Sequence, residues 1–178
     1  NQGIHNVDLL LWLMGDVAEV AAFTATATHE RIEVEDVGVA SVKFQSGVLG
    51  TIQATTTAFP GHLQRTQVFG SNGSAECQEN MVSLWDFGRK NAALTRRANL
   101  LTPDGSTGGA ADPAAIRPEY HAALFDDLWT AIAEDRDVAV TGEEGRKSVE
   151  LILASFQSAW TGKVVKLPLK KSPKPPKK

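Results

Sequence analysis

Apolar residues recur at intervals of three and four near the start of the chain. Ile4, Val7, Leu11 and Met14 form a stripe that Leu10 and Leu13 widen. That period predicts a helix over residues 4–14, stopped by Gly15-Asp16. Asn1, His5, Asp8 and Trp12 follow one another at offsets of four, three and four, so they share the opposite face. Trp12, large and apolar, is expected to pack in the core or at a domain interface. The period then falls to two. Residues 17–28 are rich in Val, Ala and Thr. Residues 36–44 carry Val37, Val39, Val42 and Phe44, and the slip of phase between Val39 and Val42 predicts a bulge. After a Gln45-Ser46-Gly47 turn, residues 48–57 alternate, with Leu49, Thr51, Gln53, Thr55 and Thr57 on one side; the two segments read as a hairpin. A second hairpin is expected from residues 64–70 and 74–78 around Ser71-Asn72-Gly73, followed by a short strand over 81–86.

Residues 99–111 read as a loop rich in Gly, Thr, Pro and Asp. A helix is expected over 118–134, with Leu124, Leu128, Trp129 and Ile132 as its apolar side. Thr141 reads as an N-cap and Glu144 completes a capping box. The helix that follows, over 142–160, is expected to turn Val149, Ile152, Leu153, Phe156 and Trp160 to the core, and Thr161-Gly162 stops it. Residues 164–169 form a closing strand. The Lys/Pro-rich stretch 170–178 is expected to be disordered or polyproline-like. This order of elements is not an alternation of strand and helix. It predicts an α+β fold: an open, mostly antiparallel β-sheet with helices packed on one face. The uncovered face, with Gln53, Thr55 and Thr57, would meet solvent or another subunit.

Composition narrows the choices. Of 178 residues, 42% are hydrophobic, enough for a buried core, and a net charge of −3 gives no footprint for nucleic acid or membrane. No apolar run approaches a membrane span. Cys77 is the single cysteine, so no internal disulfide is possible and a cytoplasmic location is expected. The chain opens without Met and runs straight into helix-like sequence, which suggests that preceding sequence is missing. His5, His29, His62 and His121 are scattered without metal-ligand spacing, so no metal is expected. A Gly-x-Ser-x-Gly elbow, a Gly-x-Gly-x-x-Gly turn and a phosphate-binding loop are all absent. The best constellation is on the first helix. An imidazole is the side chain suited to move a proton near neutral pH, and His5 has Asp8 three residues on and Asn1 four residues before.

The segment Asn1-Gln-Gly-Ile-His5-Asn-Val-Asp8-Leu-Leu-Leu-Trp-Leu-Met-Gly15 resembles the Gly-x-His-x-x-Asp segment that opens the C-terminal domain of the glucose–fructose oxidoreductase / inositol dehydrogenase / rhizopine catabolism (Gfo/Idh/MocA) family. Further pieces agree in order. They are Glu35-Asp36 with the turn Phe44-Gln-Ser-Gly-Val-Leu-Gly50, then Phe69-Gly-Ser-Asn-Gly-Ser-Ala-Glu76, then Phe125-Asp-Asp-Leu within residues 121–132. Last come Thr141-Gly-Glu-Glu-Gly-Arg146, Ser158-x-x-x-Gly162 and Leu167-Pro-Leu169.

The resemblance implies that residues 1–169 are a C-terminal substrate and oligomerisation domain, with 170–178 as a tail. It implies an N-terminal Rossmann domain, absent from this chain, that binds NAD or NADP and carries a Glu-Lys-Pro lysine. It implies hydride transfer to or from a sugar, polyol or nucleotide-sugar, and a homo-oligomer, dimer or tetramer, formed through the open sheet. His5 inherits the acid/base or hydroxyl-positioning role. Asn1 stands where the family's Asp-x-x-x-His pair has its carboxylate; an amide can position a hydroxyl but cannot hold an imidazolium by charge. Asp8 maps to an acidic position that binds substrate in some members and holds the helix in others. Asn1 and Gln2 are expected as substrate contacts through their amides. Gln64 and Arg65, after Pro60-Gly61, and His121, near a helix start, are further candidates. Alternatives are an NAD-assisted glycoside hydrolase on the same scaffold, or a non-catalytic oligomerisation module. This piece alone is expected to be inactive.

Overall fold

Residues 3–79, 81–88 and 118–176 are described in the computed structural model of the chain. Asn1, Gln2 and the expected loop over 99–111 lie outside the described residues. The elements run α1 (Gly3–Met14), β1 (Val17–Ala25), β2 (Val37–Phe44), β3 (Leu49–Thr55), β4 (Arg65–Gly70), β5 (Gly73–Gln78), β6 (Met81–Asp86), α2 (Pro118–Glu134), α3 (Gly142–Thr161) and β7 (Val165–Lys166). They fall into two compact units, one of Asn1–Pro60 with Asp137–Lys178, the other of Gly61–Arg136. The fold is α+β with antiparallel sheets, and the strands make a four-stranded sheet, β3-β2-β1-β7, and a three-stranded one, β4-β5-β6.

In the first unit α1 ends where Gly15 takes φ +82° and its N–H donates to the Leu11 carbonyl at 2.8 Å. A residue without Cβ enters that left-handed region at no steric cost. The β2–β3 turn closes in the same way on Gly47, φ +86°. In β2, Ala40, Val42 and Phe44 are buried and Val39 is exposed, in unbroken register with β3. The bulge expected between Val39 and Val42 is not there. The irregularity lies in β1, between Val17 and Glu19. The extra residue lets Val17 and Val20 both point inward, while Val39 faces out beside Phe23 on β1 and Gln53 on β3.

Both ends of α3 follow the sequence signals. The Thr141 hydroxyl accepts the Glu144 N–H at 3.3 Å, and Gly162, at φ +65°, donates its N–H to the Ser158 carbonyl. The buried face does so only in part, with Ile152 packed against the core. Instead of Val149 and Trp160, which are exposed, the helix buries Ser148, Glu150, Leu151, Ala154 and Ser158. Small side chains let the helix settle closely on β1, and the larger apolar ones flank the contact; Phe156 and Trp160 stack at 5.7 Å. The core is Val7, Val17, Val20, Ala22, Ala40, Val42, Phe44, Leu151, Ala154 and Val165. Full burial of Leu151 alone stabilises by roughly 1.5–3 kcal/mol.

The closing strand is two residues, shorter than expected, and pairs with β1 only at Glu19 and Val20. Beyond it the Ala22 N–H has no strand partner on that edge among the described residues and donates to the Ser158 hydroxyl at 2.9 Å. That hydroxyl donates in turn to the Lys163 carbonyl at 2.7 Å. The opposite face of the sheet is bare: Phe23 is 79% and Leu49 75% exposed, with Val39, Thr51 and Gln53 beside them.

In the second unit, Gly70 pairs with Gly73 across a two-residue turn, as the hairpin signal predicts. A Cβ at Gly73 would meet the Phe87 ring at 2.6 Å, so only glycine fits there. On α2, Ala131 is buried, whereas Leu124, Phe125, Leu128, Trp129 and Ile132 are exposed.

Candidate functional site

The face of α1 opposite its apolar stripe carries His5, Asp8 and Trp12, and all three are exposed. Trp12, at 80%, is not a core residue: with Val7 buried and Leu10, Leu11 and Met14 partly so, the helix offers its other side to the sheet. The first turn of α1 lies against β3, where a methyl group on Gly3 would come within 3.3 Å of the Ala54 Cβ. His5 therefore stands at the border of the edge strand, and among the described residues it has no hydrogen-bond partner. Asp8 is engaged. Its Oδ1 accepts the hydroxyl of Ser148, on α3, at 2.6 Å. Past the helix end, Lys147 pairs with Asp16 at 3.1 Å and with Glu144 at 2.7 Å, bonds that raise its pKa, the Glu144 bond most.

Gln64, Arg65 and His121 belong to the second unit, whereas His5 and Asp8 belong to the first. Gln64 is tied down locally: its backbone N–H and side-chain amide donate to the two carboxylate oxygens of Glu79, at 3.1 and 3.2 Å, which closes the base of the β4–β5 hairpin. Arg65 is exposed, and β4 and β5 bring it near Glu76. The Ser83 hydroxyl, then the Gln67 amide and the Arg65 charge hold that carboxyl below its ordinary range. His121 is exposed on α2. Asn1 and Gln2 lie outside the described residues.

Ser148 was not among the candidates read from the sequence. The fold buries it, and a buried hydroxyl needs a partner, which Asp8 supplies. Among the described residues no group of three His, Cys, Asp or Glu side chains could hold a metal ion. Nor does any described strand pass through a glycine turn into a helix N-terminus, the cradle a dinucleotide pyrophosphate requires. The described residues thus do not fit a dinucleotide site.

Residues 1–76 match the GFO/IDH/MocA C-terminal domain family. The chain is 31% identical to the WlbA dehydrogenase from Bordetella pertussis, whose crystal structure is a complex with NADH and UDP-GlcNAcA. The match has a TM-score of 0.75 and covers 96% of this chain and 47% of that one. It is 27% identical to a myo-inositol 2-dehydrogenase of Thermotoga maritima, over 92% of this chain and 47% of the relative. The aldose-aldose oxidoreductase from Caulobacter crescentus shares the fold at 22% identity, with a TM-score of 0.65 over 93% of this chain and 46% of that one. The chain spans about half the length of these relatives. No helix among the described residues is long and apolar enough to cross a membrane.

Proposed function

We propose that this chain forms the substrate-facing wall of an NAD(P)-dependent oxidoreductase acting on the CH–OH group of a sugar, polyol or nucleotide-sugar. In this reading residues 1–169 are the substrate and oligomerisation domain, and the dinucleotide is bound by a Rossmann domain outside this chain. One observation carries the reading: His5 is solvent-facing at the N-terminal end of α1, where the helix borders the sheet. Oxidation of an alcohol needs a base for the hydroxyl proton as hydride leaves the carbon, and His5 is the group on this chain to take that proton. The nicotinamide supplies the hydride acceptor. The relatives crystallised or named with a nucleotide-sugar and with inositol support the substrate class. Asp8 lies on the same helix face, one turn from His5. Asn1, Gln2, Arg65 and His121 remain proposed substrate contacts; for Gln64 the bonds to Glu79 leave its carbonyl oxygen for that role. The bare sheet face with Phe23, Val39 and Leu49 supports a homo-oligomer formed through it. The single cysteine, Cys77, fits a cytoplasmic setting.

The test is turnover of the full-length enzyme with NAD or NADP, using myo-inositol and UDP-GlcNAcA as probes. His5→Ala is expected to lower kcat by about 10²–10⁴-fold, the usual contribution of a positioned acid/base. Undiminished turnover in that variant overturns the assignment.

A further inference from the structure

We infer that Ser148 is a positioning residue for the reactive face of α1, acting through Asp8; this rests on the oxidoreductase reading of His5. The argument begins with what apolar packing cannot do. Val7, Leu10, Leu11 and Met14 hold α1 against the sheet and α3, but burial of such side chains is non-directional. It resists lifting the helix off far more than rolling it about its axis. A roll of about 20° moves a side-chain tip some 2 Å, given a helix radius with side chains of about 5–6 Å. Misplacing a catalytic group by about 1 Å can cost about 10²-fold in rate. A proton-transfer residue on α1 therefore needs a directional tie that fixes its azimuth.

Among the described residues, the Ser148–Asp8 bond and the Lys147–Asp16 pair join α1 and the loop after it to α3. The Lys147–Asp16 pair lies beyond the helix end between half-exposed groups, where water and salt weaken it. The other is the Ser148 hydroxyl bonded to Asp8 Oδ1. Its 2.6 Å length falls in the range for a hydroxyl donating to a charged carboxylate. Ser148 is 3% exposed and shares the buried face of α3 with Leu151, Ala154 and Ser158, so its position is set by the core. Asp8 stands three residues after His5, one turn along the same face. Fixing Asp8 fixes the orientation at which His5 is presented, and the bond uses only one carboxylate oxygen, leaving Oδ2 outside it.

The experiment is a double-mutant cycle in the full-length enzyme, with Ser148→Ala, Asp8→Ala and the double variant, and with His5→Ala run alongside. Asp8→Ala removes the same bond from the exposed side, so the cycle does not hang on one core substitution; thermal unfolding confirms that each variant is folded. Ser148→Ala is expected to lower kcat by about 10- to 100-fold, leave KM for the dinucleotide unchanged, and cost nothing further once Asp8 is already alanine. Unaltered kcat in Ser148→Ala, or losses that multiply in the double variant, overturns the inference. His5→Ala separates the two readings. If it loses turnover while Ser148→Ala does not, only the positioning role fails; if it keeps full turnover, the oxidoreductase reading fails first.

Discussion

Asp36 shows how much one side chain can organise. Its carboxylate is almost wholly out of water and accepts the backbone N–H groups of His29, Ala27 and Thr28, at 2.9, 2.6 and 2.9 Å, with the His29 ring at 3.1 Å. The His29 N–H, followed by those of Ala27 and Thr28 and the His29 side chain, holds the carboxyl well below the usual carboxylate range against the opposing effect of burial. The loop between β1 and β2 is thereby folded around one anion. Between the lowered native value and the ordinary one the unfolded chain binds more protons than the native one, so stability rises with pH there. Asp36's contribution is complete above about pH 4 and is lost as pH falls below it toward the native value. Asp36→Asn is therefore expected to unfold several degrees earlier at neutral pH, and its deficit relative to the parent should shrink in acid. Thermal scans of both proteins across pH 2 to 7 check this; a deficit that stays constant speaks against it. In the sequence this residue was visible only as part of Glu35-Asp36, because nothing in local spacing says which backbone groups a loop will turn toward a carboxylate.

At the scale of elements, ends were legible and faces only in part: Val7, Leu10, Leu11 and Met14 of α1 turn to the core as their spacing predicts, whereas α3 departs from its pattern. Thr141 and Gly162 marked the limits of α3 because capping is chemistry between near neighbours in sequence. On the buried side of that helix, hydrophobic size does not indicate depth, because close approach to β1 selects Ala154 and Ser158. Size likewise offers Trp12 a place in the core, one of its two expected settings, that it does not take, and it sets the expected bulge in β2 rather than β1. His5 was open to proposal from the sequence because its residue type and its spacing from Asp8 lie within a few positions. Ser148 was not, since its partner Asp8 lies 140 residues away in sequence. Ser158 is the most demanding of these small residues, for it completes the hydrogen bonding of β1 where β7 runs out. Ser158→Ala leaves a buried N–H without an acceptor and is expected to cost about 1–3 kcal/mol. Urea unfolding of the chain should show a lower midpoint with an unchanged slope. An unshifted midpoint would mean that another acceptor reaches Ala22.

Across the whole molecule, the expected α+β class and antiparallel pairing are present, but the strands form two sheets in two units rather than one continuous layer. Alternation within each strand could be read from the sequence; where one sheet stops is decided by contacts that alternation does not encode. The largest sheet keeps one face bare, its Phe23, Val39 and Leu49 rimmed by the Glu19–Lys43 pair at 3.5 Å. If that face closes on a second copy, folding and association become one equilibrium, and mass action enters the stability. The unfolding midpoint should then climb as the protein is concentrated. Phe23→Lys should abolish that climb and halve the sedimenting mass of a dimer, while a midpoint indifferent to dilution in the parent would leave the face to solvent.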